Sequence, residues 1–230
     1  VDAAAAGSSR YRFSYDGRGL LLGEDMPEKT LPATLPAFRT VSNCAQPTRD
    51  VCYAYDARGH VRRKLDGEGF LGFAYDAYER LTSVVDKAYT QERSLKSFEF
   101  YDTATAGQRS RGKLKKSTAH NYVDGALDDR PVTQEYTYDA LAGRVATRTT
   151  SVLGQSFATD YTWNDLGALV ALSYPHGGVP APARTVRQTF TNGFLTAVPV
   201  YASSIAYHPN GVASQVVHAN GVTDAATIAN

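Results

Sequence analysis

The sequence predicts an all-β protein built from consecutive antiparallel β-hairpins. A short phrase recurs along the chain: an aromatic residue, any residue, Tyr, Asp, two further residues and Gly. Of 230 residues, 15 are tyrosine and 19 are glycine, which favours strands joined by many turns. The two candidate helical stretches, residues 3–6 and 127–129, lack a sustained 3.6-residue period, so helices are not expected.

Three copies of the phrase lie in the first third of the chain. The third copy has Glu79 where the others have glycine. The characteristic residues are Tyr15, Asp16 and Gly19 in the first copy, Tyr55, Asp56 and Gly59 in the second, and Tyr75 and Asp76 in the third.

Three further copies follow in the second half with small departures. The fourth has one extra turn residue, the fifth replaces Tyr-Asp by Trp-Asn, and the sixth keeps only the Tyr and the Gly. Weaker copies lie at residues 98–114 and 190–195. The characteristic residues are Tyr138, Asp139 and Gly143, then Trp163, Asn164 and Gly167, then Tyr207 and Gly211.

The phrase has a physical reason at each position. Aromatic residues at i and i+2 lie on one face of a strand, which is typical of a half-buried sheet. An Asp or Asn at the strand end accepts hydrogen bonds from the backbone N–H groups ahead of it, and Gly adopts the positive φ that reverses the chain. Each copy therefore predicts a strand, a tight turn and a return strand.

Two irregular inserts interrupt the hairpins, at about residues 26–48 and 174–184, where prolines and other turn residues are concentrated. The repeat resumes beyond each insert. We therefore expect residues 1–230 to form a single repeat segment.

Cys44 and Cys52 are the only cysteines and lie in a polar stretch that contains Pro47. A disulfide closing this short loop is possible and would suit an oxidising compartment. Two reduced thiols are the alternative. A metal site is disfavoured because no histidine lies beside the pair.

Charge gives little indication of a partner. The net charge is +1, so no strong field favours nucleic acid or anionic lipid. A local basic cluster remains, and its charges alternate in a way that would place them on one face of a strand. No apolar run is long enough to span a bilayer, so neither nucleic-acid binding nor membrane insertion is expected. The cluster consists of Arg109, Arg111, Lys113, Lys115 and Lys116.

Enzymatic chemistry is not indicated. Each repeated aspartate occupies the same place in its own hairpin, which predicts turn capping rather than paired acid–base groups. The histidines are scattered singly, and the sequence has no calcium loop, nucleophile elbow, phosphate-binding loop or dinucleotide fingerprint. We expect no catalytic residue, metal or cofactor. The histidines are His60, His120, His176, His208 and His218.

The recurring phrase resembles the YD-repeat of Rhs proteins, Tc-toxin shell components and teneurins, over roughly Tyr11 to Val222. The resemblance implies a sheet that spirals into a larger hollow shell, which in bacterial members encloses a toxin polypeptide. It implies a fragment of a longer secreted or cell-surface protein, whose partners are the rest of its own polypeptide and an enclosed toxin. Bacterial relatives often have a self-cleaving aspartyl segment rich in Asp-Pro; because this sequence has no Asp-Pro pair, self-cleavage is not carried over.

The alternative is a cell-surface adhesin or carbohydrate-binding module, because Tyr and Trp rings on an open sheet face can stack on sugars. The direction of the rings separates the two hypotheses. Rings stacked on one another as a ladder inside the sheet layers favour a scaffold, and rings open to solvent favour surface glycans. The discriminating rings are Tyr15, Tyr55, Tyr75, Tyr138 and Trp163.

Overall fold

The computed structural model describes residues 10–29, 37–67, 69–87, 92–103, 105–123, 126–175 and 184–227. These ranges contain 18 strands and no helix, which confirms the all-β fold class. In the described parts of the two predicted inserts, residues 26–29, 37–48, 174–175 and 184 are turns or irregular chain. The rest of both inserts and the candidate helical residues 3–6 lie outside the described residues.

Contacts group the chain into two units. Unit 1 takes Val1–Glu99 and Thr118–Pro131, and unit 2 takes Phe100–Ser117 and Val132–Asn230. The earlier strands are β1 (Arg12–Tyr15), β2 (Leu21–Asp25), β3 (Val51–Tyr55), β4 (Val61–Leu65), β5 (Phe70–Tyr75), β6 (Leu81–Asp86), β7 (Arg93–Phe100), β8 (Leu114–Val123) and β9 (Ala126–Tyr138). The later strands are β10 (Val145–Val152), β11 (Gln155–Trp163), β12 (Leu169–Ser173), β13 (Thr185–Arg187), β14 (Thr189–Thr191), β15 (Phe194–Ala197), β16 (Ala202–Tyr207), β17 (Ala213–His218) and β18 (Thr223–Ala225).

The sheet topology follows the chain. Strands β1 to β13 are hydrogen-bonded in sequence order within one 13-stranded sheet, β14 and β15 form a two-stranded sheet, and β16 to β18 form a three-stranded sheet. Neighbouring strands run antiparallel from β1 to β7, from β9 to β13, in the β14–β15 pair and from β16 to β18. The predicted succession of hairpins is therefore present.

A β-bulge lies at the same place in each well-formed copy. In the second hairpin, Ala54 faces Arg63 but the next residue, Tyr55, faces Val61, so the return strand carries one extra residue. The same shift precedes Tyr15, Tyr75, Trp163 and Tyr207. A bulge interrupts the hydrogen-bond ladder and re-aims the side chains beside it.

The core of unit 1 lies where the segment 37–50 packs on the sheet. Cys52, Leu65 and Phe70 are cross-strand partners on three successive strands, and Cys44 covers them. All four side chains are buried, and the ring of Phe38 lies 5.8 Å from that of Phe70. Burying a side chain such as that of Leu65 or Phe70 contributes about 1.5–3 kcal/mol, so this cluster fixes segment 37–50.

The core is shallow elsewhere. Among the described residues only nine hydrophobic side chains are buried. Most strand positions are half-buried, as in β10, where all eight residues have intermediate exposure. A single sheet layer buries less apolar surface than two packed layers. In unit 2 the buried hydrophobic residues are Tyr138, Ala171, Val186 and Ala202.

Candidate functional site

The turn after Tyr55 shows how the repeated aspartate works. The Asp56 N–H donates to the His60 carbonyl at 3.0 Å, and the Gly59 N–H donates to the Asp56 carbonyl at 3.2 Å. Oδ1 of Asp56 accepts from the N–H groups of Arg58 and His60, both at 2.9 Å. One carboxylate therefore satisfies two turn amides that the hairpin itself leaves without a partner.

The same arrangement recurs at Asp16 and Asp76. Oδ1 of Asp76 accepts from the N–H groups of Tyr78 and Arg80 at 2.8 and 3.0 Å. Glu79 has φ +67° there, in the place of the glycine of the other copies. The hydrogen bond from the Arg80 Nε to Asp76 Oδ2, 2.7 Å, fixes the second carboxylate oxygen.

In unit 2 the turn of Asp139 is longer and its carboxylate receives more hydrogen bonds. Oδ1 accepts from the N–H groups of Leu141, Ala142 and Gly143 at 2.9, 2.6 and 3.0 Å. Oδ2 accepts from the N–H and the Nε of Arg144. In the following copy the side-chain amide oxygen of Asn164 takes the place of the carboxylate and accepts from the Ala168 N–H at 2.9 Å.

In two turns near the end of the described chain, an asparagine inside the turn caps a backbone N–H. Asn210 Oδ1 accepts from the Val212 N–H, and Asn220 Oδ1 accepts from the Val222 N–H, each at 3.1 Å. Gly211 and Gly221 both have positive φ. The second of these turns joins β17 to β18, a hairpin that the Tyr-Asp phrase does not predict; the Asn-Gly pair is the sequence signal that finds it.

Hydrogen bonding holds these carboxylates in their charged form. The Leu20 N–H lowers the pKa of Asp16, and the Ala142 N–H lowers that of Asp139. Partial burial works to raise the pKa of Asp56, but hydrogen bonds from the backbone and side chain of His60 outweigh it and lower the pKa to about 2. A carboxylate with such a pKa is a poor proton donor or acceptor near neutral pH.

The rings of the repeat bind to backbone, and they do so across hairpins. In unit 1 the Tyr55 hydroxyl donates to the Leu21 carbonyl at 2.7 Å, and the Tyr75 hydroxyl donates to the Val61 carbonyl at 3.0 Å. Each acceptor belongs to the return strand of the preceding hairpin. We call these contacts ring-to-carbonyl bonds.

Unit 2 has the same bonds. The Trp163 Nε1 donates to the Val145 carbonyl at 2.8 Å, so an indole replaces the phenol without loss of the bond. The Tyr138 and Tyr207 hydroxyls donate to the carbonyls of Leu114 and Leu195 at 2.7 and 2.8 Å.

One rule of register describes the acceptors of all five bonds. Each acceptor lies two residues after a glycine of positive φ, and those at Leu21, Val61, Val145 and Leu195 lie beside a bulge that interrupts the strand ladder. The glycines are Gly19, Gly59, Gly112, Gly143 and Gly193.

Tyr15 departs from this rule. Its ring is 59% exposed, and its hydroxyl has no hydrogen-bond partner within the described residues. The other four discriminating rings, Tyr55, Tyr75, Tyr138 and Trp163, all donate to backbone. The sequence predicts that these rings stack on one another, but each donates to a backbone carbonyl instead. Where a repeat ring does contact another ring, the partner is a different residue, as in the 4.8 Å stack of His60 on Tyr75.

Arginines at the turns extend forward to the next turn of the same unit. Arg18 Nη1 donates to the Asp56 carbonyl at 3.2 Å, and Arg58 Nη1 contacts Glu79 Oε1 at 3.1 Å. In unit 2 Arg144 Nη1 donates to the Asn164 carbonyl at 3.0 Å. Successive turns are thus linked at their tips as well as through their rings.

The cysteines and a buried arginine organise segment 37–50. The structure joins Cys44 to Cys52 as a disulfide with a Cα–Cα distance of 6.1 Å. Arg39 is only 5% exposed; its Nε donates to the Pro47 carbonyl at 2.9 Å and its two terminal nitrogens donate to the carbonyls of Asp66 and Arg49. Sequence reasoning missed Arg39, because one arginine in an irregular stretch has no distinctive pattern.

The basic cluster of residues 109–116 does not form one strand face. Arg109, Arg111 and Lys113 lie in the turn before β8, whereas Lys115 and Lys116 lie on that strand. The ammonium of Lys113 donates to the Gly143 carbonyl and lies 4.9 Å from the centroid of the Tyr138 ring. Lys116 pairs with Glu135 at 3.2 Å. The alternation seen in the sequence therefore has no counterpart in space.

Three of the histidines have defined contacts. His60 Nδ1 lies 3.1 Å from Asp56 Oδ2, His218 Nε2 lies 2.7 Å from Asp224 Oδ2, and His208 Nε2 lies 2.9 Å from the Ala226 carbonyl. His120 lies on β8, and His176 lies outside the described residues. Within the described ranges, no group of three His, Cys, Asp or Glu side chains is arranged to hold a metal ion.

A groove of about 400 Å³ lies on the face of β3 to β6 in unit 1, with Ala54, Gly72 and Ala74 among the residues that line it. Three cationic side chains line it, and two of them have partners: Arg63 Nη1 donates to the Ser42 carbonyl at 2.6 Å and Lys87 pairs with Glu92, whereas the third is Arg62. In the part of the chain that the structure describes, no helix is long and apolar enough to cross a bilayer.

Comparison with known proteins gives a distant structural similarity. No family model and no curated protein matches the chain. It is similar to the crystal structure of TcdB2-TccC3-Cdc42, with 12% identity and a TM-score of 0.36, and to that of TcdB2-TccC3-TEV, with 14% identity and a TM-score of 0.37. Each match covers 96% of this chain and only 12% of the other chain. At this identity and TM-score the similarity assigns neither a family nor an activity.

Proposed function

We propose that the chain is a structural segment of a longer, secreted bacterial YD-repeat protein, in which it forms part of the wall of a shell. The shell encloses or presents a toxin or effector polypeptide. The observation that carries this proposal is the ring-to-carbonyl bond. It ties a hairpin to the preceding one whether donor and acceptor are 34 residues apart, as for Tyr55 and Leu21, or 12, as for Tyr207 and Leu195.

The repeat residues support a structural role over a catalytic one. The carboxylate oxygens of the turn aspartates accept hydrogen bonds from turn amides, which keep these side chains ionised. The hydroxyls of Tyr55, Tyr75, Tyr138 and Tyr207 and the indole N–H of Trp163 donate to backbone carbonyls. Among these repeat residues only the Tyr15 hydroxyl has no partner within the described residues, and no acid or base is paired with it, so we propose that the segment has no catalytic activity.

The shallow core supports a place within a larger assembly. Half-buried strand positions leave apolar surface that a second layer or an enclosed polypeptide would cover. The disulfide between Cys44 and Cys52 supports export, because such bonds persist in oxidising compartments.

A carbohydrate-binding surface module is the second candidate. The row of Tyr11, just before β1, and Phe13 and Tyr15 on β1 favours it, because these aromatic residues are 55%, 51% and 59% exposed. Most of the repeat rings weigh against it, since their donors are already bound to backbone.

The test is a cryo-electron-microscopy map of the longest native polypeptide that contains this chain. The proposal expects a closed, hollow β-shell with this segment in its wall and density for a polypeptide inside. An open or filamentous sheet with its aromatic row facing solvent would overturn the shell and favour the carbohydrate-binding alternative. Limited proteolysis of the same sample is the control, because an enclosed polypeptide resists cleavage until the shell unfolds.

A further inference from the structure

The first strand of the sheet carries a row of exposed rings. Phe13 and Tyr15 lie on β1 and Tyr11 directly precedes it; these alternate residues are 51–59% exposed, whereas Tyr55 and Tyr75, at the place of Tyr15 in the next two hairpins, are half-buried. Within the described residues β1 pairs with β2 on one side only. Its other edge therefore presents backbone groups that another strand can pair with.

The register rule identifies what is missing at this edge. Tyr15 has the same position before its turn as Tyr55 and Tyr75, and the same bulge follows Ser14 that follows Ala54 and Ala74. In those hairpins the bulge and the ring position bring the hydroxyl to a carbonyl of the preceding return strand. Tyr15 has the donor and its geometry but not the acceptor.

We infer that the free edge of β1 is the docking surface for one more hairpin of the same repeat, supplied by the preceding part of the same polypeptide. Its return strand adds to β1 by antiparallel pairing, and its carbonyl two residues after the positive-φ turn residue accepts from the Tyr15 hydroxyl. This inference rests on the proposed function, since it needs a longer polypeptide. The interface it predicts continues the one already formed between the hairpins that contain Val61 and Tyr75.

The geometry favours a hairpin over a sugar at this edge. The Tyr11 hydroxyl is already 3.2 Å from Glu28 Oε2, so the row does not offer three free rings. The equivalent ring in each later well-formed hairpin meets backbone. A strand also satisfies the edge N–H and C=O groups of β1, which a stacked sugar does not.

A graft can supply the missing hairpin from the chain itself. A copy of residues 51–69, with Cys52→Ser in the copy, replaces residues 1–9 and joins directly to Arg10. In the native chain Tyr75 follows Val61 by 14 residues. In the graft Tyr15 follows the copied Val61 by the same interval, since eight steps reach residue 69, one reaches Arg10 and five reach Tyr15, so the connection has its natural length.

Hydrogen exchange of the segment 10–15, followed by mass spectrometry, is the measurement. We expect at least tenfold slower exchange in the grafted chain than in the full 230-residue chain. The matched control carries Lys64→Pro in the copy only, because Lys64 lies in the middle of the pairing of β4 with β5 and proline there disrupts the ladder, and it should restore fast exchange. Slow exchange that the proline control does not reverse, or exchange that the graft does not slow, would overturn the inference.

Two other occupants give different results with the full chain. Protection that appears without the graft as the chain concentration rises would assign the edge to a second copy. Protection on adding hexasaccharides of glucose or N-acetylglucosamine, lost in Tyr15→Ala, would assign it to glycans; either result overturns the inference. If the graft experiment fails, the cryo-electron-microscopy test of the shell still stands. If the native polypeptide forms an open sheet while the graft protects residues 10–15, the shell is contradicted but the docking of a hairpin on β1 is not.

Discussion

The Tyr75 hydroxyl donates a 3.0 Å hydrogen bond to the Val61 carbonyl, which lies on the return strand of the preceding hairpin. The Tyr75 ring also stacks on His60, the residue before Val61, at 4.8 Å. Because the acceptor is backbone, the residue type at position 61 is free to vary while the donor is not. The residues between donor and acceptor take no part in the contact, so the same bond forms at a separation of 34 residues for Tyr55 and Leu21 and of 12 for Tyr207 and Leu195.

Removal of this bond should destabilise the chain measurably. Tyr75→Phe keeps the ring and leaves the Val61 carbonyl without its donor, so we expect a loss of about 1 kcal/mol in the free energy of unfolding. Urea denaturation followed by circular dichroism measures it. Tyr15→Phe is the matched control and should change the value by less than about 0.5 kcal/mol. Equal effects in the two variants would contradict the structural role of the bond.

Two glycines of similar backbone conformation should respond differently to alanine. Gly143 and Gly154 have φ of +70° and +73°, but a Cβ on Gly143 would lie 2.5 Å from the Arg109 carbonyl oxygen, whereas nothing lies within 4 Å of one on Gly154. Gly154→Ala adds only the left-handed strain, about 1 kcal/mol. Gly143→Ala also displaces the 105–113 segment and should lose about 3 kcal/mol. Thermal unfolding of both variants tests the difference.

Loss of the disulfide should weaken unit 1. Closing a loop of this length stabilises a protein by roughly 2–3 kcal/mol, so dithiothreitol or the double change Cys44→Ala and Cys52→Ala should lower the urea midpoint. The reductant should have no effect on the double variant. If the parent keeps its midpoint after its two thiols have been titrated as free, the disulfide does not stabilise the fold.

The local structure could be predicted from the sequence because its determinants are side chains at fixed spacing. Asp56 and Gly59 predict a turn, and Tyr55 predicts a strand whose aromatic rings lie on one face. Even the substitutions follow this logic, since Asn164 keeps the acceptor oxygen and Trp163 keeps an N–H donor. The hairpins were therefore predictable one at a time.

Their connections were not predictable, because a backbone acceptor leaves no mark in the sequence. Nothing about Leu21 or Val61 distinguishes them as partners of Tyr55 and Tyr75. The role of Arg39 was hidden for the same reason, since its three acceptors are carbonyls. The basic run of residues 109–116 gave a wrong prediction, because alternating charges lie on one face only when all the residues form a strand, and residues 109–113 form a turn.

Arg39 should prove essential for segment 37–50. Arg39→Lys keeps the charge but not the planar fork that reaches three carbonyls, so we expect a loss of about 2 kcal/mol; Arg39→Met should lose about 3 kcal/mol. Both variants should make residues 37–50 more sensitive to trypsin or chymotrypsin. Arg12→Met changes an exposed arginine on β1 and should change stability by less than about 0.5 kcal/mol. Intact resistance in Arg39→Met would show that the cystine and its apolar cluster hold the segment alone.

The turn carboxylates should make the fold sensitive to acid. The pKa of Asp56 falls from 3.8 to about 2 because the hydrogen bonds it accepts outweigh its partial burial. A folded-state pKa below the unfolded value means that the contribution is complete above pH about 4 and is lost as the pH falls towards 2. Hydrogen bonding also lowers the pKa of Asp16 and Asp139, so several turns should weaken in the same acidic range.

Asp56→Asn separates this titration from the turn geometry. An amide keeps the Oδ1 acceptor, as Asn164 does, but it has no proton to gain, so the loss of stability between pH 4 and 2 should be smaller than in the parent. Urea midpoints measured from pH 7 to pH 2 give the comparison. Asp165→Asn changes an exposed carboxylate in another turn and should keep the parent's acid profile. An unchanged profile in Asp56→Asn would mean that acid acts elsewhere, and the hydrogen bonds to Asp56 would then position the turn without coupling it to pH.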